Sequence, residues 1–154
     1  MSALAAAIRP DSWNLPLLLH VLGATVLLGA TLTGASALAL ARGEARVLRL
    51  GYYSLLVVGL PAFILMRAAA EWIYSKEGWD DVPDDSQPAW IGIGFIISDL
   101  GGVLLLLSLI LGGIGVRRLH SGGGAGLLRA TMAISVLLVA AYIVAIWAMG
   151  AKPD

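Results

Sequence analysis

Four predominantly apolar runs, each long enough to cross a bilayer, constrain the fold of this chain more than any other feature of it. A hydrocarbon core of about 30 Å needs roughly 20 apolar residues in helical form. Helix is also the one arrangement in which a single segment satisfies its own backbone hydrogen bonds inside lipid. The runs lie near 15–41, 50–72, 90–116 and 130–149. They predict an all-α polytopic membrane protein, a bundle of four transmembrane helices in which residues 1–154 form a single membrane domain. Only 13% of the residues are charged and the mean hydropathy is +0.89, so the lipid bilayer is the expected surroundings. The longest polar connection, about 74–88, is too short for a separate water-soluble unit.

Charge placement gives an orientation. Arg42, Arg46 and Arg49 separate the first two runs, and Arg117, Arg118 and Arg129 the last two, with Glu44 as the one acid among them. By the positive-inside rule both connections are cytoplasmic. The middle connection carries Glu77, Asp80, Asp81, Asp84 and Asp85 against Lys76 and belongs outside, and both termini then lie outside too. Arg9 runs against this, but Asp11 stands beside it. Trp13, Trp72, Trp79 and Trp90 fall at the outer boundary, where indole rings favour the membrane interface. The small residues of 35–41 resemble a signal-peptidase site, but the apolar run before them is much longer than an h-region, so no cleavage is expected there.

The absence of cysteine removes disulfides, thiolate metal sites and palmitoylation from consideration. A formal net charge of zero argues against a nucleic-acid partner. Gly94, Ser98 and Gly102 recur every four residues in the third run, and Ser108 and Gly112 repeat the spacing. In the first run Gly23, Ala30 and Ala37 recur every seven, and Gly34 follows Ala30 by four. Such stripes let helix backbones approach closely, most often within one bundle and less often across a homo-oligomer seam. Pro61 is expected to kink the second helix and to free a carbonyl one turn earlier. Pro10, Pro16, Pro83 and Pro88 flank helix starts, and 122–124 reads as a glycine turn.

Ionisable residues inside the runs are few: His20, Arg67 and Asp99, with Glu71 closing the second. In the orientation above they gather in the outer half. At about 1.5 Å per residue, His20 and Arg67 lie roughly 7–8 Å deep, and Asp99 about 13 Å. Tyr142 descends the fourth helix to a comparable level, whereas the inner half holds essentially no such groups. A charge near mid-bilayer costs about 2.5–3.5 kcal/mol on insertion scales, so Arg67 and Asp99 are expected to pair, with Glu71 sharing the guanidinium. A register-fixing ion pair and a binding site explain this cluster equally well.

His20 is the one imidazole within the membrane, since His120 falls in a cytoplasmic connection. The commonest role of such a residue is a hydrogen bond to a neighbouring helix. An imidazole can also act as axial haem ligand, metal ligand or proton carrier. Bis-histidine haem within the chain is excluded, Met66 and Met149 are available as a sixth ligand, and Arg67 as a propionate partner. A tetrahedral zinc site lacks ligands.

The stretch Leu17-Leu18-Leu19-His20-Val21-Leu22-Gly23, continuing to Gly29, resembles the first helix of small bacterial membrane proteins grouped with the copper-resistance D proteins, and of HemJ-type haem-biosynthesis proteins. Gly59-Leu60-Pro61-Ala62, Ile91-Gly92-Ile93-Gly94-Phe95 and Asp99-Leu100-Gly101-Gly102 are similar to the second and third helices of their four-helix relatives. The resemblance implies a multi-pass protein of the bacterial cytoplasmic (inner) membrane, with His20 as candidate haem or metal ligand. The leading expectation is a bundle whose outer half holds a polar pocket for a cofactor or small ligand, haem first, lined by His20, Arg67, Asp99 and Tyr142. Two further readings are a small transporter or proton-coupled permease subunit, in which Arg67 and Asp99 exchange partners, and an accessory subunit with no bound cofactor. No inverted repeat supports the transporter.

Overall fold

The computed structural model of the chain describes residues 14–152. Arg9, Pro10, Asp11 and Trp13 lie outside them. The described residues form four long helices and no strand: α1 (Asn14–Leu40), α2 (Ala45–Lys76), α3 (Ala89–Arg118) and α4 (Ala125–Ala151). Each is long and apolar enough to cross a membrane. The centres agree with the hydropathy runs, but α2 and α4 begin earlier, over 45–49 and 125–129. The reason is physical: hydropathy marks where lipid ends, whereas a helix continues past that point as long as its backbone bonds continue. Gly122 (φ 73°) and Gly124 (φ 90°) provide the left-handed backbone that ends α3 and starts α4. The 77–88 connection is more ordered than its polarity suggests. The Gln87 side-chain amide donates to Tyr74 Oη (2.8 Å) and to the Val82 carbonyl (2.9 Å), pinning the segment to the end of α2.

Around the bundle the order is α2–α1–α4–α3. α1 packs along α2 and α4, α3 packs along α4, and α2 and α3 make few backbone approaches. The small residues explain this arrangement. A Cβ placed on Gly23 would stand 2.8 Å from the Met66 nitrogen, and one on Gly34 or on Gly51 would stand 3.1 Å from the other's carbonyl oxygen. The α1–α2 seam is therefore a true backbone contact. The stripe on α3 behaves differently from expectation. Gly102 receives the Phe63 ring, Gly112 the Tyr52 ring and Gly94 the end of Met149, so its glycines accommodate side chains instead of helix backbones, as does Gly101 beside the stripe, which receives the Tyr142 ring. These aromatic rings, with Leu27, Leu55, Leu105 and Leu138, one fully buried leucine from each helix, fill the middle of the molecule.

The disruption expected at Pro61 takes the form of a π-helical run, Ser54–Gly59, just before it. Proline lacks an N–H and its ring crowds the carbonyl four residues earlier, and a wider turn relieves both. Within this run the Ser54 hydroxyl donates to the Ala30 carbonyl across the seam (2.9 Å).

The expectation that one half is nearly free of polar groups needs correction. Thr131 and Ser135, towards the arginine-bearing end, are fully buried, as are Thr31 and Ser108 nearer the middle. Hydropathy hides them because each hydroxyl of Thr31, Thr131 and Ser135 donates to the carbonyl four residues earlier on its own helix, at 2.7, 3.0 and 2.9 Å, and so presents no polar face.

Candidate functional site

Trp72, Trp79, Trp90 and Trp147 all lie at the end of the bundle formed by the start of α1, the end of α2, the start of α3 and the end of α4. Trp79 and Trp90 pack edge to face, and Lys152 and Lys76 lie over Trp90 and Trp72. Below this collar is a cavity of about 300 Å³ walled by all four helices. His20 and Ala24 come from α1, Met66 and Arg67 from α2, Phe95 and Ser98 from α3, Tyr142 and Met149 from α4, and Leu27 lies beneath. Val21, Thr25 and Ile146 also border it and are exposed. The cavity thus opens sideways between α1 and α4, towards the surface that faces lipid.

His20 is half-buried and its Nδ1 lies 3.1 Å from the Met66 carbonyl. A carbonyl oxygen only accepts, so Nδ1 carries a proton, and the tautomer that makes this bond has its lone pair on Nε2. The close α1–α2 approach at Gly23 sets this bond, because it brings Met66 within reach. Gly94 makes room on α3 for the methyl end of Met149, so that this side chain lies across the cavity wall.

Tyr142 is 6% exposed, and its hydroxyl has no hydrogen-bond partner. The Ser98 hydroxyl, on the same cavity, is buried and unpartnered as well. Gly101 brings the two together. A Cβ there would stand 3.2 Å from Tyr142 Cε1 and 3.5 Å from its oxygen, so the phenol ring lies against α3 within one turn of Ser98. Leaving a buried hydroxyl unsatisfied costs about 1–3 kcal/mol, which makes an unpartnered pair on one cavity wall the chemically informative feature of the site.

Arg67 donates to Asp99 at 3.2 Å and also to Glu71, and its guanidinium lies 4.8 Å from the centre of the Phe95 ring. The expected pairing is present, but not as a buried pair. The side chains of Arg67, Asp99 and Glu71 are 26%, 64% and 53% exposed. Asp99 is not on the cavity wall either. It projects outward and holds Arg67 across the sparsely packed α2–α3 gap, so three of the four expected lining residues, His20, Arg67 and Tyr142, meet at the cavity and the fourth braces it from outside. His120 is at the other end, accepting from Arg49 at Nε2 (3.0 Å).

The residues present match haem only in part. His20 Nε2 is suited to be one axial ligand, its Nδ1–H being held by a carbonyl as such ligands commonly are. The space does not match: 300 Å³ is the lower end for small-molecule pockets and too little for a porphyrin with its propionates. Arg67, the expected propionate partner, is already engaged by two carboxylates. Among the described residues no group of three or more His, Asp or Glu side chains could hold a metal ion. No family model, curated protein or solved structure matches the chain.

Sequence reasoning placed His20 and Tyr142 but read Ser98 only as part of a packing stripe. The available signal was that Ser98 is the one hydroxyl in the Gly94–Gly102 series, at a depth comparable to Tyr142 and immediately before Asp99.

Proposed function

We propose that this protein is a membrane-spanning binding protein whose cavity takes up a small, uncharged amphiphile from the surrounding lipid. The observation that carries this reading is the Tyr142 hydroxyl, 94% of whose residue surface is buried and which lacks a partner beside the equally unpartnered Ser98, in a cavity open to the lipid-facing surface. A buried hydroxyl on a cavity wall that finds no partner within the protein is one that a ligand can satisfy. The arginine distribution supports an orientation with the cavity in the outer leaflet, both termini outside and the Arg42–Arg49 and Arg117–Arg129 segments cytoplasmic. Membership of the bacterial cytoplasmic membrane follows the resemblance of α1 to the copper-resistance D and HemJ-type proteins.

The test is co-purification. Organic extracts of the purified protein and of Ala145→Phe, which fills the cavity from α4, are compared by mass spectrometry. A small molecule present in near-stoichiometric amount with the first and lost from the second is expected. Identical extracts would remove the cavity as a binding site. Thiols introduced at Ser86 and Ser121 should label from opposite faces of the membrane; labelling from one face defeats the orientation.

Haem remains the second reading because the His20 tautomer favours it, and it requires α1 and α4 to part. A Soret band that His20→Ala abolishes would establish it, and its absence after haem supplementation would dismiss it.

A further inference from the structure

The cavity wall makes three demands on an occupant, and together they narrow its chemistry. The first is charge. Arg67, the one cationic side chain on the wall among the described residues, is bonded to both Glu71 and Asp99, so none of them offers a free cation to a phosphate or a carboxylate. The occupant's head is neutral.

The second demand is for hydrogen bonds of opposite sense on opposite walls. α1 and α3 are diagonal in the bundle. From α1, His20 presents an acceptor at Nε2, because its proton is committed to the Met66 carbonyl. From the α3–α4 side, the Ser98 and Tyr142 hydroxyls are buried donors with nothing to donate to. A simple alcohol serves one wall at a time. A flat head with an oxygen at each end serves both, and the space between the walls is lined by flat or small side chains, Phe95, Ala24 and Ala145, at a volume suited to a single ring.

The third demand is a route for an apolar tail. The cavity mouth between α1 and α4 is bordered by Val21 and Ile146, and the exposed surface around it carries Leu18, Leu22, Ile143 and Trp147. A chain attached to the ring leaves through this mouth into lipid without crossing a polar surface.

Resting on the reading that the cavity binds an uncharged amphiphile, we infer that its ligand is the head group of a membrane quinone, held preferentially in the reduced quinol form. The quinol donates one O–H to His20 Nε2 and accepts at its other oxygen from Tyr142 and Ser98. The oxidised quinone accepts equally well from Tyr142 and Ser98, but its second carbonyl meets the His20 lone pair and gains nothing there. One hydrogen bond therefore separates the two forms, a preference of about three- to ten-fold.

The experiment measures binding of a decyl-tailed benzoquinone, its quinol and the quinol dimethyl ether to the full chain in lipid nanodiscs, by quenching of intrinsic tryptophan fluorescence, with Ala145→Phe as the blocked reference. The quinol is expected to bind about three- to ten-fold more tightly than the quinone or the ether. His20→Phe should erase that preference. Tyr142→Phe should weaken all three by a similar factor while the protein stays folded, since the change deletes an unpartnered atom. Equal binding of quinol and ether, or a Tyr142→Phe protein of unchanged affinity, overturns the proposal. Decanol separates the two levels of inference. If decanol binds the parent protein but not Ala145→Phe, while neither quinone nor quinol does, the quinol assignment falls and the amphiphile cavity stands. If none of these probes distinguishes the two proteins, both fall.

Discussion

The two ends of the bundle handle buried hydroxyls in opposite ways. Towards the arginine-bearing end, Thr131 and Ser135 are fully buried and each donates to a carbonyl of its own helix, Thr131 lying also 3.4 Å from the Ser108 carbonyl of α3. Leu38, Val116 and Leu128 pack around that region. At the tryptophan-bearing end, Ser98 and Tyr142 lie on a cavity and donate to nothing. Ser108, next to Thr131, is the exception at the arginine-bearing side, its hydroxyl having no partner, but it does not line the cavity. In lipid a hydroxyl is stable at low cost when it folds back on its own helix. A hydroxyl that does not, and that lines open space, marks where the molecule meets something else.

The largest expected effect strikes the seam on which the cavity depends. Gly23→Val puts a branched side chain against the Met66 backbone, 2.8–2.9 Å from where its Cβ would sit, and should cost about 3 kcal/mol, the upper end of the usual overpacking range. It should also break the His20–Met66 bond. Gly29→Ala, on the same helix with nothing within 4 Å, is the control, expected to be neutral or to gain up to about 1 kcal/mol. Denaturation in detergent reads both, and equal losses would mean that α1 and α2 do not meet closely at Gly23.

Next in size is Arg67→Met, which leaves the Glu71 and Asp99 carboxylates without the guanidinium between them and should cost about 2 kcal/mol. Asp99→Asn leaves the Arg67–Glu71 pair intact and removes a charge instead of orphaning one, so the loss should be smaller, about 1 kcal/mol or less. Similar losses for the two would contradict a shared guanidinium.

The smallest effects carry the sharpest contrast. Thr131→Val removes a hydroxyl that is bonded and should destabilise by about 1 kcal/mol. Tyr142→Phe removes one that is not, and the ligand-free protein should be unchanged or slightly more stable. If both variants lose stability alike, the Tyr142 hydroxyl has a structural partner and the distinction between the two ends disappears.

Much of this was legible in the sequence, for identifiable reasons. Four apolar runs gave four helices because nothing else satisfies backbone bonds at that depth. The contact of Arg67 with Asp99 followed from scarcity, there being almost no other charge with which either could pair. Its exposure did not, because hydropathy fixes depth along a helix and not which way around it a residue faces. The glycines of α3 read as sites of close approach, which they are, but a small residue does not reveal whether a backbone or a ring will fill the space. Gly101 and Tyr142 are far apart in the chain and neither announces the other. The orphaned hydroxyls followed from that pairing, and so lay beyond the reach of pattern.

The π-helical run in α2 has a consequence for how the chain tolerates change in length. Such a run holds more residues per turn than the α-helix around it, and at about 100° per α-helical residue one position more or fewer alters the phase of everything beyond it. Ser54–Gly59 therefore sets the rotation of Leu60–Lys76, the segment that presents Met66 and Arg67. Deleting Val57 or Val58, both exposed, would leave the composition, hydropathy and span of α2 almost untouched. It would nonetheless turn Met66 away from His20 and Arg67 away from Asp99 in a single step. In this molecule a hydrophobic valine facing outward is dispensable as a side chain and indispensable as a unit of counting.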